Sequence, residues 1–148
     1  MDELIIYTDG GCKGNPGVGA WAFVIYSGDN FITEQSSGLE FTTNNQMELT
    51  AVIVALRTCL STNPNKIILN TDSQYVKNGI TKWIINWKKN GWRTANKKPV
   101  KNKELWVELD NLNSQLNVEY RWVKGHAGIE LNERCDTLVN IEMNKLLN

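Results

Sequence analysis

The sequence predicts an α/β domain in which a mixed β-sheet carries helices on both faces. Apolar runs typical of strands begin the chain, the apolar period changes from 2 to 3.6 after residue 45, and short strands then alternate with helices. This order favours parallel pairing of the later strands through crossover helices. Because 148 residues match one ordinary domain, we expect one core.

The first three strands are predicted to form an antiparallel meander. Leu4–Thr8 is a short apolar strand that a glycine-rich turn ends, and Val18–Ser27 is the second strand. A Gly-Asp-Asn turn at residues 28–30 connects it to a third strand at about Phe31–Leu39. Asp9, which follows the first strand, is therefore expected at the edge of the sheet.

A helix follows the meander and leads to a second strand that ends in a carboxylate. The Thr-Thr-Asn sequence at residues 42–44 offers N-caps before a helix over Gln46–Leu60. The next apolar run, Lys66–Thr71, is predicted as a strand and is followed by Asp72. The arrangement at Asp9 is thus repeated.

The second half of the chain is predicted to be mainly helical. A helix over Ser73–Ile80 is expected to end at Gly79, and another covers about Lys103–Leu112. Val118–Val123 alternates as a strand, and residues 125–148 are expected to form a loop and then a helix. The sheet then has five strands.

The charges are segregated although they sum to zero. Nine of the 16 basic residues lie between Ser73 and Lys103, where the sequence has no acidic residue, so seven basic residues remain beside all 16 acidic ones. We call residues 73–103 the basic segment. It is suited to bind a polyanion, whereas the acidic remainder is suited to bind cations.

Composition excludes several classes of protein. The apolar run Ala51–Leu56 is far shorter than the ~20 residues of a membrane span, and the N-terminus does not resemble a signal peptide. Three cysteines form neither an even disulfide set nor a CxxC zinc pattern; we expect Cys59 and Cys135 in the core and Cys12 in a loop. The sequence predicts a cytoplasmic, monomeric protein.

Four carboxylates on four predicted elements indicate a metal site. Asp9 and Asp72 end strands whose carboxyl ends meet where ligands bind in such sheets. Glu48 interrupts the apolar stripe on the first turn of its helix, and Asp136 lies beside the core face of the last helix. Close carboxylates need a compensating cation, and hard oxygen ligands suit Mg²⁺ or Mn²⁺. The alternative for each aspartate is that it caps the following element.

Motifs along almost the whole chain resemble those of type 1 ribonuclease H. In order, they are TDGGCKGNPG, TTNNQMELTAV, LNTDSQYVKNGITKWI, WKKNGW with KKPVKN after it, WVKGHAG and NERCD. The set is most similar to the cellular bacterial enzyme with a basic protrusion. The resemblance implies a ribonuclease H-like fold, with a five-stranded mixed sheet flanked by helices. It implies one catalytic domain over residues 1–148, a protrusion at about residues 82–103, and a complete functional unit.

The resemblance also implies a reaction and a set of metal ligands. The activity would be endonucleolytic cleavage of the RNA strand of RNA:DNA hybrids, with little sequence preference and with 5′-phosphate and 3′-hydroxyl products. Asp9 would bridge two Mg²⁺ ions, Asp136 would complete the site that activates water, and Glu48 with Asp72 would hold the ion facing the leaving oxygen. Mn²⁺ is a possible substitute.

His126, the only histidine, lies between two glycines in KGHAG. The resemblance gives it a role in proton transfer or product release, which suits a group with a near-neutral pKa. The alternative is a solvent-exposed loop residue without a role in catalysis. Because the metal ions would carry most of the catalysis, His126→Ala is expected to impair turnover less than Asp9→Asn.

Substrate contacts are predicted in the basic segment and in the polar turns. Interleaved cations and tryptophans suit a nucleic-acid strand, although some of the tryptophans are expected in the core. By resemblance, Trp83 lies in the DNA-strand channel and Thr43 with Asn102 binds one DNA phosphate. Four polar residues are predicted to line the minor groove of the hybrid, where 2′-hydroxyls are accessible: Asn15, Asn44, Asn45 and Gln74. Three further contacts are predicted in or just after the basic segment: Lys88, Lys89 and Trp106.

Two local departures from the family pattern affect substrate affinity rather than chemistry. Gln46 replaces an arginine of some relatives, and Ile129–Leu131 replaces a more polar loop. Two other functions stay open from the sequence: a hybrid-binding module that does not cleave, and a metal-dependent nuclease that acts on another duplex.

Overall fold

A computed structural model describes residues 3–123 and 130–147, with the side chain of residue 130 excluded. Five strands form one sheet in the order β3-β2-β1-β4-β5. None of the helices in these ranges has the length and hydrophobicity that a membrane crossing requires. The elements are β1 Glu3–Lys13, β2 Gly17–Ser27, β3 Asn30–Thr42, α1 Asn44–Cys59, β4 Lys66–Thr71, α2 Gln74–Asn78, a π-helical turn Gly79–Trp83, α3 Ile84–Lys89, α4 Lys103–Gln115, β5 Val118–Trp122 and α5 Glu130–Leu147.

The predicted five-stranded mixed sheet is confirmed. Strands β1, β2 and β3 are antiparallel, whereas β4 pairs in parallel with both β1 and β5. Helix α1 connects β3 to β4, and the helices from α2 to α4 connect β4 to β5. A two-residue turn at residues 28–29 joins β2 to β3, which agrees with the Gly-Asp-Asn signal.

Strand β1 is longer than the sequence indicated. It continues through the glycines to Lys13, because β2 pairs with it as far as Lys13↔Val18. The predicted turn after Thr8 is therefore wrong, and so is the loop position of Cys12, which lies within β1. Glycine has weak strand propensity on its own, but the long partner strand supplies the hydrogen bonds.

Helix α1 begins at its predicted cap. The hydroxyl oxygen of Thr43 accepts a hydrogen bond from the Gln46 N–H at 3.2 Å, and the Thr43 backbone is extended. Glu48 lies just past the first helical turn, and it is buried although it is acidic. The cap therefore fixes where the helix starts and how Glu48 is placed.

Gly79 does not end a helix, contrary to the prediction. Its backbone is right-handed helical, and the chain continues through the π-helical turn into α3. A Cβ atom at position 79 would lie 2.0 Å from the ring of Trp106, so glycine is needed for close packing at this position rather than for chain reversal. Trp106 comes from α4, 27 residues later, which is why the local sequence signal was misleading.

The core lies in two layers, one on each face of the sheet. Alternate residues of β2 divide between them: Trp21, Phe23 and Ile25 pack toward α1 and α4, and the smaller Ala20 and Ala22 pack toward α5. The predicted core positions of Cys59 and Cys135 are confirmed. Helices on both faces thus hold rigid the strands that carry Asp9 and Asp72.

Candidate active site

Asp9 lies at the point where β1 loses its parallel neighbour. The last parallel pair between β1 and β4 is Tyr7↔Asn70, and Asp72 follows the end of β4. On its other side, Asp9 is still held in register, opposite Ala22 of β2. Asp9 is therefore inside a strand and not at its end. It still lies beside the carboxyl end of β4, where the sequence predicted the ligand site.

Gly10 allows α1 to approach β1 closely. A Cβ atom on Gly10 would lie 2.4 Å from the backbone carbon of Met47, so a larger residue would push the helix away. The Gly10 N–H donates to the Asp9 carboxylate at 2.9 Å and also to the Glu48 carboxylate. One backbone amide thus holds together the carboxylates of two elements.

Asp9, Glu48 and Asp72 each place a carboxylate oxygen within 4.8 Å of the others. We call these three residues the carboxylate cluster. Burial, together with the charges of Asp72 and Asp136, raises the pKa of Asp9 from 3.8 to about 7. Burial first, and then the charges of Asp9 and Asp72, raise the pKa of Glu48 well above its ordinary value. The cluster is therefore costly to ionise when no cation is bound.

Asp136 of α5 is the fourth carboxylate at this site. It lines the same cavity of about 630 Å³ as the carboxylate cluster, although its oxygens are outside the 4.8 Å group. Asn140, one turn later on α5, donates from its side chain to the Asp136 carbonyl at 2.9 Å. Four elements thus supply the four predicted carboxylates to one cavity.

The alternative role of Asp72 as a helix cap does not hold. Ser73 is the N-cap of α2, and its hydroxyl oxygen accepts from the Val76 N–H at 3.1 Å. The Asp72 carbonyl instead accepts the indole N–H of Trp122 at 3.2 Å, and the ammonium of Lys77 lies 5.3 Å from the centre of that ring. Asp9, inside a strand, caps no helix either.

The carboxylate cluster fits a hard divalent cation. Its donors are all oxygens, as Mg²⁺ and Mn²⁺ prefer, whereas zinc sites usually include Cys or His. Burial, and after it the neighbouring negative charges, raise the pKa values of Asp9 and Glu48, and a bound cation would favour the ionised form of both groups. The residues present therefore suit a metal ion.

The polar residues predicted for the minor groove lie around the same cavity. Asn44, Asn45 and Gln74 line it, and the side-chain oxygen of Asn15 accepts the Asn44 N–H at 2.9 Å. Asn15 thus ties the turn after β1 to the beginning of α1. Thr43 and Asn102 are not part of the cavity lining, but Gln46 is hydrogen-bonded to both.

The basic segment is a helical stretch followed by a loop. Its tryptophans pack against one another with tilted rings: the ring centroids of Trp83 and Trp87 are 5.8 Å apart, and those of Trp87 and Trp92 are 6.4 Å apart. Lys89 is exposed, whereas Lys88 forms an ion pair with Asp110 at 3.2 Å. The basic segment therefore combines exposed lysines with a cluster of packed aromatic rings.

Trp106 is a correction to the predicted substrate contacts. The residue has 0% of its surface exposed, and its ring packs against Gly79, Tyr75 and Trp87. A side chain without accessible surface cannot contact a duplex, so its role is structural. The sequence could not separate it from the partly exposed tryptophans, because burial here depends on helices far apart in the chain.

Sequence reasoning missed some residues at the cavity. Tyr75, Ser73, Cys12 and Asn140 line it, but none was selected as a candidate. The only signal for Tyr75 was its place beside Gln74 in the motif that contains Asp72. The predicted residue His126 and most of the 129–131 departure lie outside the described residues.

Comparison with known proteins decides the family. A family model described as RNase H matches residues 1–144 of the chain. The chain belongs to the ribonuclease H family. Among curated relatives, the Ribonuclease H of Ruthia magnifica subsp. Calyptogena magnifica is 53% identical over 146 residues, which are 99% of both chains. That of Anaplasma marginale (strain St. Maries) is 54% identical over 143 residues, covering 97% of this chain and 92% of the relative.

Solved structures of ribonuclease H proteins share the fold. RNase H1 from the halophilic archaeon Halobacterium salinarum NRC-1 superposes with a TM-score of 0.75 at 27% identity, covering 97% of this chain and 98% of the other. LC11-RNase H1, solved in complex with an RNA/DNA hybrid, gives a TM-score of 0.71 at 26% identity over 98% and 99% of the two chains. The predicted family and fold are thus confirmed.

Proposed function

We propose that this ribonuclease H family member hydrolyses the RNA strand of RNA:DNA hybrids with two Mg²⁺ ions, for which Mn²⁺ can substitute, and leaves 5′-phosphate and 3′-hydroxyl ends. The observation that carries the proposal is the meeting of Asp9, Glu48, Asp72 and Asp136 at one cavity. The family match and the RNA/DNA hybrid bound to a structural relative support the substrate class.

The four carboxylates would hold the metal ions. When bound, two divalent ions supply Lewis-acid activation of the attacking water and stabilise the departing oxygen. The protein's own contribution is to fix the ligands before the substrate arrives: β1 and β4 hold Asp9 and Asp72, and the Gly10 amide holds Asp9 and Glu48 together. Such fixed ligands require little reorganisation during the reaction.

The polar residues around the cavity would orient the hybrid. Asn44, Asn45 and Gln74 provide amide groups that can read 2′-hydroxyls in a wide, shallow minor groove. The exposed cations of the basic segment would contact phosphates without regard to sequence. Little sequence preference is expected from this combination.

His126 is proposed to assist proton transfer or product release, on the strength of the family resemblance alone. The basic protrusion at residues 82–103, the cytoplasmic location and the monomeric state likewise stay predictions.

The test is cleavage of an end-labelled RNA:DNA hybrid by the purified protein. We expect cutting of the RNA strand with Mg²⁺, none with EDTA, and none with Asp9→Asn, which also controls for contaminating nuclease. Tight hybrid binding without cutting would instead indicate a binding module. Equal cutting of competitor double-stranded RNA or DNA would indicate a nuclease for another duplex.

A further inference from the structure

A chain of side-chain hydrogen bonds connects α1, the loop before α4, and α2. The Thr42 hydroxyl donates to the Gln46 side-chain oxygen at 2.9 Å, and the Gln46 amide donates to the Asn102 side-chain oxygen at 3.3 Å. The Asn102 amide then donates to the Tyr75 hydroxyl at 3.1 Å, which also accepts the Trp106 indole N–H at 3.0 Å. Each side chain is thus oriented by its neighbours.

Gln46 is hydrogen-bonded to both residues of the predicted DNA-phosphate contact. Its backbone N–H donates to the Thr43 hydroxyl oxygen, and its side-chain amide donates to Asn102. The Thr43 hydroxyl proton and the second N–H of the Asn102 amide have no acceptor among the described residues. Both donors are therefore available to an acceptor from outside the protein.

Asn102, the N-cap of α4, has an unusual conformation for a residue at that position. Its φ of 61° and ψ of 29° are left-handed, and its side chain does not cap α4 although asparagine is well suited to do so. The side chain is instead directed to Gln46 and Tyr75. A residue with a strained backbone, whose side chain does not cap its own helix, points to a function for that side chain at another place in the structure.

Tyr75 provides the fixed end of the chain. Its hydroxyl is bonded to the fully buried Trp106, and its ring packs on those of Trp83 and Trp106 at centroid distances of 5.7 and 5.3 Å. Tyr75 also lines the cavity of the carboxylate cluster, three residues after Asp72. Its position is therefore set by the core and by the helix that follows Asp72.

We propose that Gln46 and Tyr75 are positioning residues that hold Asn102 so that it and Thr43 grip one phosphate of the DNA strand in register with the carboxylate cluster. The inference rests on the proposed function, because the bound strand is that of an RNA:DNA hybrid. Gln46 carries no charge of its own, so the grip depends on oriented hydrogen-bond donors rather than on a cation at this position. The partner is the phosphodiester of the strand that is not cut.

The first test compares KM and kcat of conservative variants. Gln46→Met keeps the backbone bond to Thr43 and removes only the side-chain bonds, and Tyr75→Phe removes only the hydroxyl. Each is expected to raise KM about 3- to 10-fold with kcat changed less than about twofold, which is the loss of one or two oriented hydrogen bonds. The double variant should raise KM by less than the product of the two, because both act through Asn102.

Matched variants elsewhere separate positioning from a general loss of stability. Tyr120→Phe removes a partly buried tyrosine hydroxyl that donates to Asn113, and Gln115→Met removes a surface glutamine amide on α4. Both are remote from the cavity lining, and neither should change KM. Gln46→Glu, which keeps an acceptor for Thr42 but adds a negative charge, should raise KM more than Gln46→Met, and more so at low salt.

The second test replaces single DNA-strand phosphates by neutral methylphosphonates. A methylphosphonate at one position should raise KM for the wild-type protein. This increase in KM, the methylphosphonate penalty, should be smaller in Gln46→Met and Tyr75→Phe. An unchanged KM, equal losses in kcat, or an undiminished methylphosphonate penalty in both variants would overturn the inference. Hybrid affinity is also measured in an Asp9→Asn background, where no cutting is expected. If the wild-type protein also bound the hybrid without cutting it, the proposed function would be wrong, and the affinities would still test this contact.

Discussion

The carboxylate cluster and the basic segment differ in how far their charged groups are buried. Glu48 is 5% exposed and Asp9 is partly buried, and burial with mutual repulsion raises the pKa of both groups. The cations of the basic segment are exposed, and the tryptophans beneath them carry the packing. The two regions meet at α2, which begins two residues after Asp72 and is the first helix of the basic segment.

The difference fits the roles proposed for the two regions. In-line displacement at phosphorus needs ligands fixed within fractions of an ångström, which a sheet and a buried helix start provide at a cost in stability. Binding a phosphate backbone needs positive potential and tolerates movement, so solvated lysines suffice. Four substitutions test whether the two regions differ in this way.

Glu48→Gln should cause the largest effect. The amide keeps the shape and the acceptor for the Gly10 N–H but removes the charge that a metal ion needs, so cleavage should fall about 10³-fold or more. Hybrid affinity should stay within about threefold, because the phosphate contacts are proposed to lie in the basic segment. Single-turnover cleavage and equilibrium binding measure the two quantities. Glu104→Gln on the exposed start of α4 is the matched control, and a comparable loss there would refute the contrast.

His126→Ala is expected to lower kcat by about 10- to 100-fold, which is less than any carboxylate variant. Its role would be to assist proton transfer or product release, while the metal ions stabilise the transition state. Steady-state kinetics on a labelled hybrid would measure this loss. Residual activity equal to that of Asp9→Asn would contradict the ranking.

Gly79→Ala should destabilise the fold by about 2–3 kcal/mol, because the new methyl group would overlap the Trp106 ring, which cannot move outward. Denaturant unfolding of both proteins measures the difference. Gly91→Ala is the control: nothing lies within 4 Å of its added Cβ, and its φ of 66° should cost only about 1 kcal/mol. Equal costs at the two positions would show that the aromatic packing is not rigid.

Lys89→Gln should have the smallest effect, a rise in KM of about three- to fivefold with unchanged kcat. The slope of log affinity against log salt should fall by about 0.9 if one phosphate contact is lost. Lys88→Gln removes the same charge, but Lys88 is already paired with Asp110, so its effect should be smaller. A larger loss for Lys88 would mean that the ion pair opens when the hybrid binds.

Local patterns predicted most of the fold. Strand-like runs on either side of the Gly-Asp-Asn turn predicted β2 and β3, and the Thr-Thr-Asn caps at residues 42–44 predicted the start of α1. These signals depend on neighbours in sequence. The errors at β1, Gly79 and Trp106 share a physical cause. Each depends on a partner distant along the chain: β2 extends β1, and Trp106 occupies the space that Gly79 leaves.

The sequence predicted the acidic residues of the candidate site, but it did not predict the residues that position their neighbours. In the sequence, Asp9 and Asp72 follow apolar runs and Glu48 interrupts an apolar stripe, while Asp136 lies beside the core face of the last helix. The family motifs contain the same residues. Tyr75 and Gln46 carry no such signal. Their importance comes from hydrogen bonds to Asn102, 27 and 56 residues away, which only the fold brings within reach.

Thermal unfolding of the wild-type protein and Asp9→Asn, with EDTA and with Mg²⁺, tests most directly the claim that the carboxylates are held together at a cost that a cation offsets. The folded pKa of Asp9, about 7, exceeds the ordinary 3.8, so without metal the wild type should lose stability as pH rises from about 4 to 7, by on the order of 2–4 kcal/mol. In EDTA at pH 8, Asp9→Asn should therefore melt higher than the wild type, and the gap should narrow by pH 5. Mg²⁺ should stabilise the wild type more than the variant. A wild type that melts higher in EDTA at pH 8, or an equal gain from Mg²⁺ in both proteins, would contradict the account.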